Sequence, residues 1–147
     1  MPMQTADLDG PRPVAAVISS IGARHPDALQ LVTDGPFLDL RRALRNPASD
    51  PALLHGTGLD DAVRERVLAM PGALDLINRA AAEVLALAGL ALPGLTVRLT
   101  VACQGGRHRS VAVAEGVARR IWEAWGGAYA VVVEHHHIDH PLLTASV

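Results

Sequence analysis

The most constraining part of this chain is the segment Val97–Ser110, VRLTVACQGGRHRS, because its character changes twice over a short distance. Its first half is apolar and typical of a buried strand, the adjacent Gly105 and Gly106 interrupt that pattern, and an amphipathic helix follows. A bent, glycine-rich turn presents several backbone N–H groups, and the helix start adds about half a positive charge. The segment therefore predicts a strand–turn–helix unit whose turn binds an anion.

The side chains of this turn suit a phosphate group in particular. Arg107 and Arg109 carry planar guanidinium groups, which can donate two parallel hydrogen bonds to a phosphate. His108 lies between them and adds a third potential cationic donor. We expect the whole turn to contribute to the anion site, namely Gln104, Gly105, Gly106, Arg107, His108, Arg109 and Ser110.

Hydrophobic periodicity along the chain predicts a small single-domain α/β sandwich with about four strands in a mixed or mostly parallel sheet and about three helices. The 147 residues suffice for one ordinary core, which we place at 14–141, between a flexible tail at 1–13 and a second tail at 142–147. The expected strands are Val14–Ile18, Phe37–Leu40, Thr96–Ala102 and Tyr129–Val133. The expected helices are Asp61–Met70, Ala73–Ala88 and Arg109–Trp125, with a short helix or loop at Leu29–Val32.

Bulk composition argues against several classes of protein. The net charge of −2 provides no general attraction to nucleic acid or to a membrane. No apolar run approaches the roughly 18–20 residues that span a bilayer, and no signal peptide is evident at the start of the chain. Cys103 is the only cysteine, so an internal disulfide is excluded and a reducing, cytoplasmic compartment is expected. We expect no cofactor and no membrane partner.

Polar residues follow three of the predicted strands. Asp39 and Arg41 stand at the exit of the second strand, and the glycine turn stands at the exit of the third. A run of histidines follows the fourth strand. Ligands of α/β sheets bind beyond the carboxyl ends of parallel strands. We therefore expect these groups to share one rim, where Asp39 would accept hydrogen bonds from a ligand hydroxyl or ammonium group.

Three segments together resemble a known family. Cys103–Glu115 is similar to the Cys-x-Gly-Gly-x-His-Arg-Ser signature in the C-terminal domain of the RNase adapter protein RapZ family. Asp39-Leu40-Arg41 resembles that domain's Asp-Val-Arg, and Thr57-Gly58-Leu59-Asp60 resembles its Thr-Gly-x-Asp. The resemblance covers residues 14–141. It does not extend to the family's N-terminal nucleotide-binding domain, because no Gly-x-x-x-x-Gly-Lys-Ser/Thr loop for ATP occurs in this sequence.

The resemblance implies a regulatory domain that senses a phosphorylated metabolite, with an amino-sugar phosphate such as glucosamine-6-phosphate as the ligand. The glycine turn would hold the phosphate, and Arg41, Thr57 and His135 would complete the pocket. A protein partner, an RNA and self-association are left open as further interactions. We expect a binding domain rather than an enzyme.

A phosphatase is the first alternative. Cys103 and Arg109 have the Cys-x5-Arg spacing, followed by Ser110, that cysteine-dependent phosphatases and rhodanese-type domains show in their phosphate loops. In such enzymes a thiolate attacks phosphorus, and its pKa is lowered by backbone donors and by the arginine. Ala102 argues against this function, because classical tyrosine phosphatases have histidine there. If Cys103 only ends a strand, it is a small buried hydrophobic residue.

A small-RNA-binding adapter domain is the second alternative. Its contacts would come from two arginine clusters, although the acidic balance of the chain argues against a large phosphate footprint. These clusters are Arg41, Arg42 and Arg45, and Arg119 with Arg120.

A metal site is the third possibility. His135 and His137 would share one face of a strand, which suits two metal ligands. Adjacent histidines cannot all face one ion, however, and no second cysteine helps. We therefore expect a polar loop and no metal.

Overall fold

Within the residues that the structure describes, 13–47, 50–90 and 94–142, the chain forms four strands and four helices; the structure is a computed structural model. The strands are β1 (Val14–Gly22), β2 (Phe37–Asp39), β3 (Val97–Cys103) and β4 (Ala130–His135). The helices are α1 (Ala28–Leu31), α2 (Asp61–Leu68), α3 (Ala73–Leu90) and α4 (Arg109–Ala124).

The strands form one parallel sheet in the order β2-β3-β1-β4. β1 lies in the centre and pairs with β3 on one side and with β4 on the other, and β2 pairs with the outer edge of β3. Because every pairing is parallel, the carboxyl ends of all four strands lie at the same edge of the sheet. The α/β prediction is therefore confirmed, and the described sheet is wholly parallel rather than mixed.

β1 is longer than the sequence pattern predicts. The apolar pattern ends at Ile18, where a turn is expected, but the strand continues to Gly22. Ser20 lies between Val101 of β3 and His135 of β4, so the backbone is paired on both sides. The Ser20 hydroxyl is also 2.6 Å from Nδ1 of His135, so its burial leaves no unpaired polar group. Tertiary pairing thus extends the strand beyond the point where the local pattern ends.

The other boundaries differ by a few residues. α3 continues through Gly89 to Leu90, where the sequence predicts a turn, because one glycine costs a helix only about 1 kcal/mol. α2 ends at Leu68, two residues before the predicted end, and β4 extends to His135. The two predicted tails lie outside the described residues except for Pro13 and Leu142.

The helices cover the two faces of the sheet unequally. Ile18 belongs to a large core that includes buried residues of α2, α3 and α4, whereas Ile21 belongs to a small cluster with Ala28 of α1 and Ala102 of β3. Side chains three positions apart on a strand point to opposite faces. The three long helices therefore cover one face, and α1 lies on the other. Within the described ranges, none of these helices has the length and apolar character to cross a membrane.

Replacement of Ile18 by alanine tests the packing of the central strand. Ile18 is fully buried, so the shorter side chain leaves a cavity that its close-packed neighbours fill only in part. We expect the free energy of unfolding, measured by urea titration, to fall by about 2–5 kcal/mol. Leu29→Ala is the control: Leu29 is 88% exposed, and its loss should change stability by no more than about 0.5 kcal/mol. Equal effects of the two variants would contradict the described core.

Candidate anion-binding site

The four strands end close to one another along the carboxyl edge of the sheet. Gly22 at the end of β1 lies beside Cys103 at the end of β3, and Asp39 at the end of β2 lies beside Ala102. His135 at the end of β4 pairs with β1 two residues before its end. The turn 104–108 starts at this edge and α4 leaves from it. The groups expected to share a rim are thus anchored at neighbouring strand ends.

The backbone at Gly106 tolerates no side chain. Its φ of +76° lies in the left-handed region that favours glycine. A Cβ atom on Gly106 would also lie 2.5 Å from the backbone nitrogen of Gly22 and 2.9 Å from the Cβ of His137. The Gly106 N–H donates to Sγ of Cys103 at 3.2 Å. The glycine turn is therefore packed directly against the end of β1, and its conformation is fixed by that contact.

Arg107 joins the glycine turn to two other loops. Its Nε donates to the carbonyl of Gly56 at 3.1 Å, its Nη2 to the carbonyl of His55 at 2.6 Å, and its Nη1 to the carbonyl of Ile138 at 3.2 Å. All three acceptors are neutral, so these bonds position the guanidinium without cancelling its charge. Arg107 therefore fixes the turn and leaves a positive charge beside it. These three bonds use three of the five guanidinium N–H groups, so two N–H groups of this side chain remain for a ligand.

His108 occupies the N-cap position of α4, but its side chain does not cap the helix. Its Nε2–H donates instead to the carbonyl of Leu54 at 3.1 Å. Burial lowers the pKa of His108 below its usual value of 6.5, so the ring is neutral at pH 7. The first N–H groups of a helix have no acceptor within the helix itself. Because His108 is turned away, its imidazole leaves these N–H groups available to a ligand.

Arg109 is a buried cation whose surroundings are incomplete. The residue is 3% exposed, and its Nη1 donates to the carbonyl of Leu44 at 3.0 Å and to that of Arg41 at 3.5 Å. Its Nε is buried and has no hydrogen-bond partner among the described residues. A buried charge is costly unless it is paired and fully hydrogen-bonded. An anion that approached Arg109 would reduce this cost.

Asp39 and Arg41 form an ion pair at the end of β2. Both carboxylate oxygens of Asp39 accept bonds from the guanidinium, at distances between 2.7 and 3.2 Å, and Oδ1 also accepts the Arg41 N–H at 3.0 Å. These hydrogen bonds hold the pKa of Asp39 below its usual 3.8, and the charge of Arg109 adds to the effect. Asp39 is therefore ionised at neutral pH and lies within electrostatic reach of both arginines.

Thr57 lies in the turn before α2, and this turn contacts the glycine turn. The Thr57 N–H donates to Oδ2 of Asp60 at 2.7 Å, and its hydroxyl accepts an N–H two residues further on, much as in a helix capping box. The Gly58 N–H donates to the carbonyl of Arg107 at 2.9 Å. A Cβ on Gly58 would lie 2.5 Å from the backbone nitrogen of Ala112. The Thr-Gly-x-Asp segment therefore starts a helix and supports the glycine turn at the same time.

His135 is held by partners on β1 and α4. Its Nδ1 is 2.6 Å from Oγ of Ser20, and its Nε2 is 2.7 Å from Oε2 of Glu115. Only 10% of its side chain is exposed. His135 thus cross-links three elements of the fold, and one of these bonds would have to break before the ring could bind a ligand.

Cys103 lies beneath the glycine turn. The residue is 2% exposed, and its Sγ is 3.1 Å from the fully buried hydroxyl of Ser110. A nucleophilic thiolate must be reachable by its substrate. Here the sulfur is covered by the surrounding residues. This geometry favours a structural role for Cys103 over nucleophilic attack.

The arginine clusters proposed for RNA are partly neutralised. Arg41 is paired with Asp39 at 2.7 Å, and Arg119 is paired with Glu123 at 3.4 Å. Each predicted patch therefore contains an arginine whose charge is locally balanced by a carboxylate. RNA binding stays a prediction.

A group of residues that no local sequence pattern brings together lies behind the glycine turn. Nδ1 of His137 accepts the Gly22 N–H at 2.8 Å, and Nε2 of His25 donates to the carbonyl of Gly105 at 3.0 Å. His137 lies beyond the end of β4, so it does not share a strand face with His135. These contacts join residues that are 80 to 115 positions apart, and only the strand order brings them together. In the described part of the chain, no three His, Cys, Asp or Glu side chains are placed to hold a metal.

The fold and this edge define a class of protein: a small parallel α/β domain with a glycine-rich turn at a helix start, beside a buried arginine. The chain belongs to the RapZ C-terminal domain family, whose model matches residues 16–139. The match spans nearly all of the described chain, and it confirms the resemblance seen in the glycine signature.

Curated relatives match this chain over part of their own length. A nucleotide-binding protein of Rubrobacter xylanophilus is 40% identical over 127 residues, which cover 82% of this chain and 39% of the relative. A nucleotide-binding protein of Sphingopyxis alaskensis is 35% identical over 140 residues, with 90% and 40% covered. One from Thermus thermophilus is 43% identical over 104 residues, with 67% and 35% covered. The chain therefore spans about two fifths of the length of these relatives or slightly less.

Gly106→Ala tests the contact between the glycine turn and β1. An alanine with positive φ costs about 1–2 kcal/mol, and its Cβ would collide with the backbone nitrogen of Gly22. Gly72→Ala is the matched control, because Gly72 has a φ of +86° but nothing lies within 4 Å of the position of its Cβ. We expect Gly106→Ala to lower the free energy of unfolding in urea by at least about 1 kcal/mol more than Gly72→Ala. Matching losses would show that the turn can move away from β1.

The neutral state of His108 predicts a dependence of stability on pH. Because the pKa of His108 is lowered in the folded protein, the unfolded chain binds more protons as the pH falls below 6.5. The free energy of unfolding should therefore decrease from pH 6.5 down to the pKa in the folded protein. His108→Gln can keep a donor near Leu54 and should weaken this dependence, whereas replacement of the exposed His55 should leave it unchanged. Urea titrations at several pH values measure the free energy of unfolding. If His108→Gln leaves its pH dependence unchanged, that dependence does not come from His108.

Proposed function

We propose that this domain binds a phosphorylated metabolite at the start of α4, with an amino-sugar phosphate as the ligand, and that this binding is its regulatory input. Membership of the family supports a regulatory domain of the RapZ adapter kind. The identity of the ligand and its position at the start of α4 are what we propose beyond the family assignment. The phosphate would be held by backbone N–H groups of residues 105–108 and by the guanidinium of Arg109, and the Gly106 N–H would exchange its bond to Sγ of Cys103 for a bond to the phosphate.

The observation that carries this proposal is the Nε of Arg109, which has no hydrogen-bond partner among the described residues. The residue is almost completely buried, its hydrogen bonds within the described part of the chain go to neutral carbonyls, and it is the first residue of α4. Both the guanidinium and the helix start therefore favour negative charge at the same place. A dianionic phosphate satisfies both, because it accepts several hydrogen bonds and compensates the buried charge.

The ionised Asp39 supports a ligand that also carries a positive group. A phosphate bound at Arg109 would bring the rest of the ligand towards the end of β2, where Asp39 lies within electrostatic reach of Arg109. An ammonium group can share the carboxylate with Arg41, whereas a purely anionic ligand would gain nothing from it. Arg41 and Thr57 would complete the pocket.

Calorimetric titration with glucosamine-6-phosphate tests the proposal. We expect it to bind more tightly than inorganic phosphate, glucosamine or a nucleoside triphosphate. Arg109→Ala should weaken binding by about 10–100-fold, because a charge-assisted hydrogen bond in a buried site is lost. Arg119→Ala is the control: its side chain is 80% exposed on the same helix and should leave the affinity unchanged. A folded Arg109→Ala protein with unaltered affinity would refute the site.

Two further arms make this experiment decisive. Arg109→Lys keeps a buried cation and serves if Arg109→Ala does not fold. Glucose-6-phosphate replaces the ammonium by a hydroxyl and should bind about two- to fivefold more weakly, the range expected for an exposed ion pair. Asp39→Asn should abolish that difference. Equal binding of glucosamine-6-phosphate and inorganic phosphate would leave an anion site without the proposed ligand.

A further inference from the structure

A cluster of three histidines lies behind the glycine turn and makes none of the ligand contacts proposed above. His25 comes from the turn between β1 and α1, and His137 and His140 follow β4. The rings of His25 and His137 stack with centroids 4.2 Å apart, and His140 lies edge-on to both at 5.0 and 4.9 Å. His137 is fully buried.

The hydrogen bonds of His137 define one protonation state. Its Nδ1 accepts the Gly22 N–H at 2.8 Å, so this nitrogen carries no proton. Its Nε2 is 2.8 Å from Oδ1 of Asp27, which can only accept when ionised. His137 is therefore the neutral tautomer with the proton on Nε2. A second proton on Nδ1 would point at the Gly22 N–H and exclude that hydrogen bond.

The Gly22 N–H that His137 orients lies at the contact between β1 and the glycine turn. The backbone nitrogen of Gly22 lies 2.5 Å from the position a Cβ on Gly106 would take. Two backbone bonds continue the contact, from the N–H groups after Gly22 to the carbonyls of Cys103 and Gln104, at 2.8 and 3.1 Å. Displacement of Gly22 must therefore displace the glycine turn as well.

We propose that His137 is a positioning residue that makes ligand binding at the glycine turn depend on its own protonation state. With His137 neutral, Gly22 and the turn hold the described conformation, and a second proton on His137 drives both out of it. The proposal takes its ligand from the proposed function, but the structural step stands without a ligand.

The groups that face His137 decide the direction of this effect. Burial lowers its pKa below the usual 6.5, and the nearby His25 and His140 add to this, while the carboxylate of Asp27 acts in the opposite sense. Arg107 donates to the carbonyl of the next residue along the chain, Ile138, and brings a further positive charge. The ring is therefore neutral at pH 7 and gains its proton only as the pH falls.

A protonated histidine also attracts anions, so protonation of His137 has two opposing effects on ligand affinity. The hydrogen bond from Gly22 is lost outright when Nδ1 is protonated, because two donors then face each other. The added charge, in contrast, lies in a fully buried ring next to the carboxylate of Asp27, which offsets it. We therefore expect protonation of His137 to weaken ligand binding rather than strengthen it.

The first test follows the affinity for glucosamine-6-phosphate from about pH 7.5 to about pH 5, where histidine titrates. His137→Asn introduces an amide oxygen that can accept the Gly22 N–H and does not titrate. The affinity of His137→Asn should match that of the wild type at the upper pH. As the pH falls, the affinity of the wild type should drop below that of His137→Asn, by up to about tenfold per pH unit. The ligand's own phosphate titration affects both proteins equally and cancels in the ratio.

Two controls accompany this measurement. His136→Asn should follow the wild type, because His136 is partly exposed and pairs with Glu134 rather than with the turn. His137→Ala supplies no acceptor and should bind weakly at every pH. A constant affinity ratio between wild type and His137→Asn, or a wild type that binds more tightly as the pH falls, would overturn the proposal.

A ligand-free arm separates this inference from the proposed function. NMR spectra of the wild-type chain report the ring nitrogens of His137 and the amides of Gly22 and Gly106 over the same pH range. We expect a protonated Nε2 and a bare Nδ1 at neutral pH, and amide shifts that change with the midpoint of the His137 ring. Amides that stay unchanged while His137 titrates would refute the coupling, even if the ligand binds. If the amide shifts follow the titration of His137 but the protein binds no glucosamine-6-phosphate, the proposed ligand is refuted and the coupling stands.

Discussion

The close approach of Gly106 to Gly22 is the contact on which the carboxyl edge depends. Two backbone segments can come this near only if both lack side chains, and the positive φ of Gly106 adds a second demand for glycine. The contact fixes the position of the glycine turn, because β1 is the central strand and is hydrogen-bonded to both β3 and β4. The glycine turn is therefore placed against the central strand of the sheet, and α4 starts from a defined point.

Arg107 in the turn and Arg109 at the start of α4 have different roles although their side chains are the same. All three nitrogens of Arg107 that donate do so to carbonyls of other loops, so this residue is part of the framework. Arg109 is more deeply buried, yet its Nε has no hydrogen-bond partner in the part of the chain that the structure describes. A folded chain gains nothing from an unpaired buried donor, and such a group is a reason to look for a ligand. Arg107 and Arg109 carry positive charge at the edge at pH 7, whereas the buried His108 and His137 are held neutral by their surroundings.

Local pattern predicts an α/β fold with a mixed or mostly parallel sheet, and it predicts the turn at the edge of that sheet. The apolar run before Cys103 and the helical spacing after Arg109 each occupy consecutive residues, and periodicity reports such segments well. The full length of β1 was missed, because Ser19 and Ser20 break the apolar pattern and only pairing with neighbouring strands continues it. The partners of His135 and the cluster around His137 were missed for the same reason. Their contacts join distant residues, and no local spacing reports them.

The hydrogen bonds that hold the glycine turn and its neighbours at the edge lie inside the segment that matches the family. They run from Ser20 at one end to Ile138 at the other, within the matched range 16–139. The larger part of each relative lies outside the matched segment. Under the proposed function, the ligand of the turn depends on residues of this segment, and what binding controls depends on the surface that the segment presents to a partner.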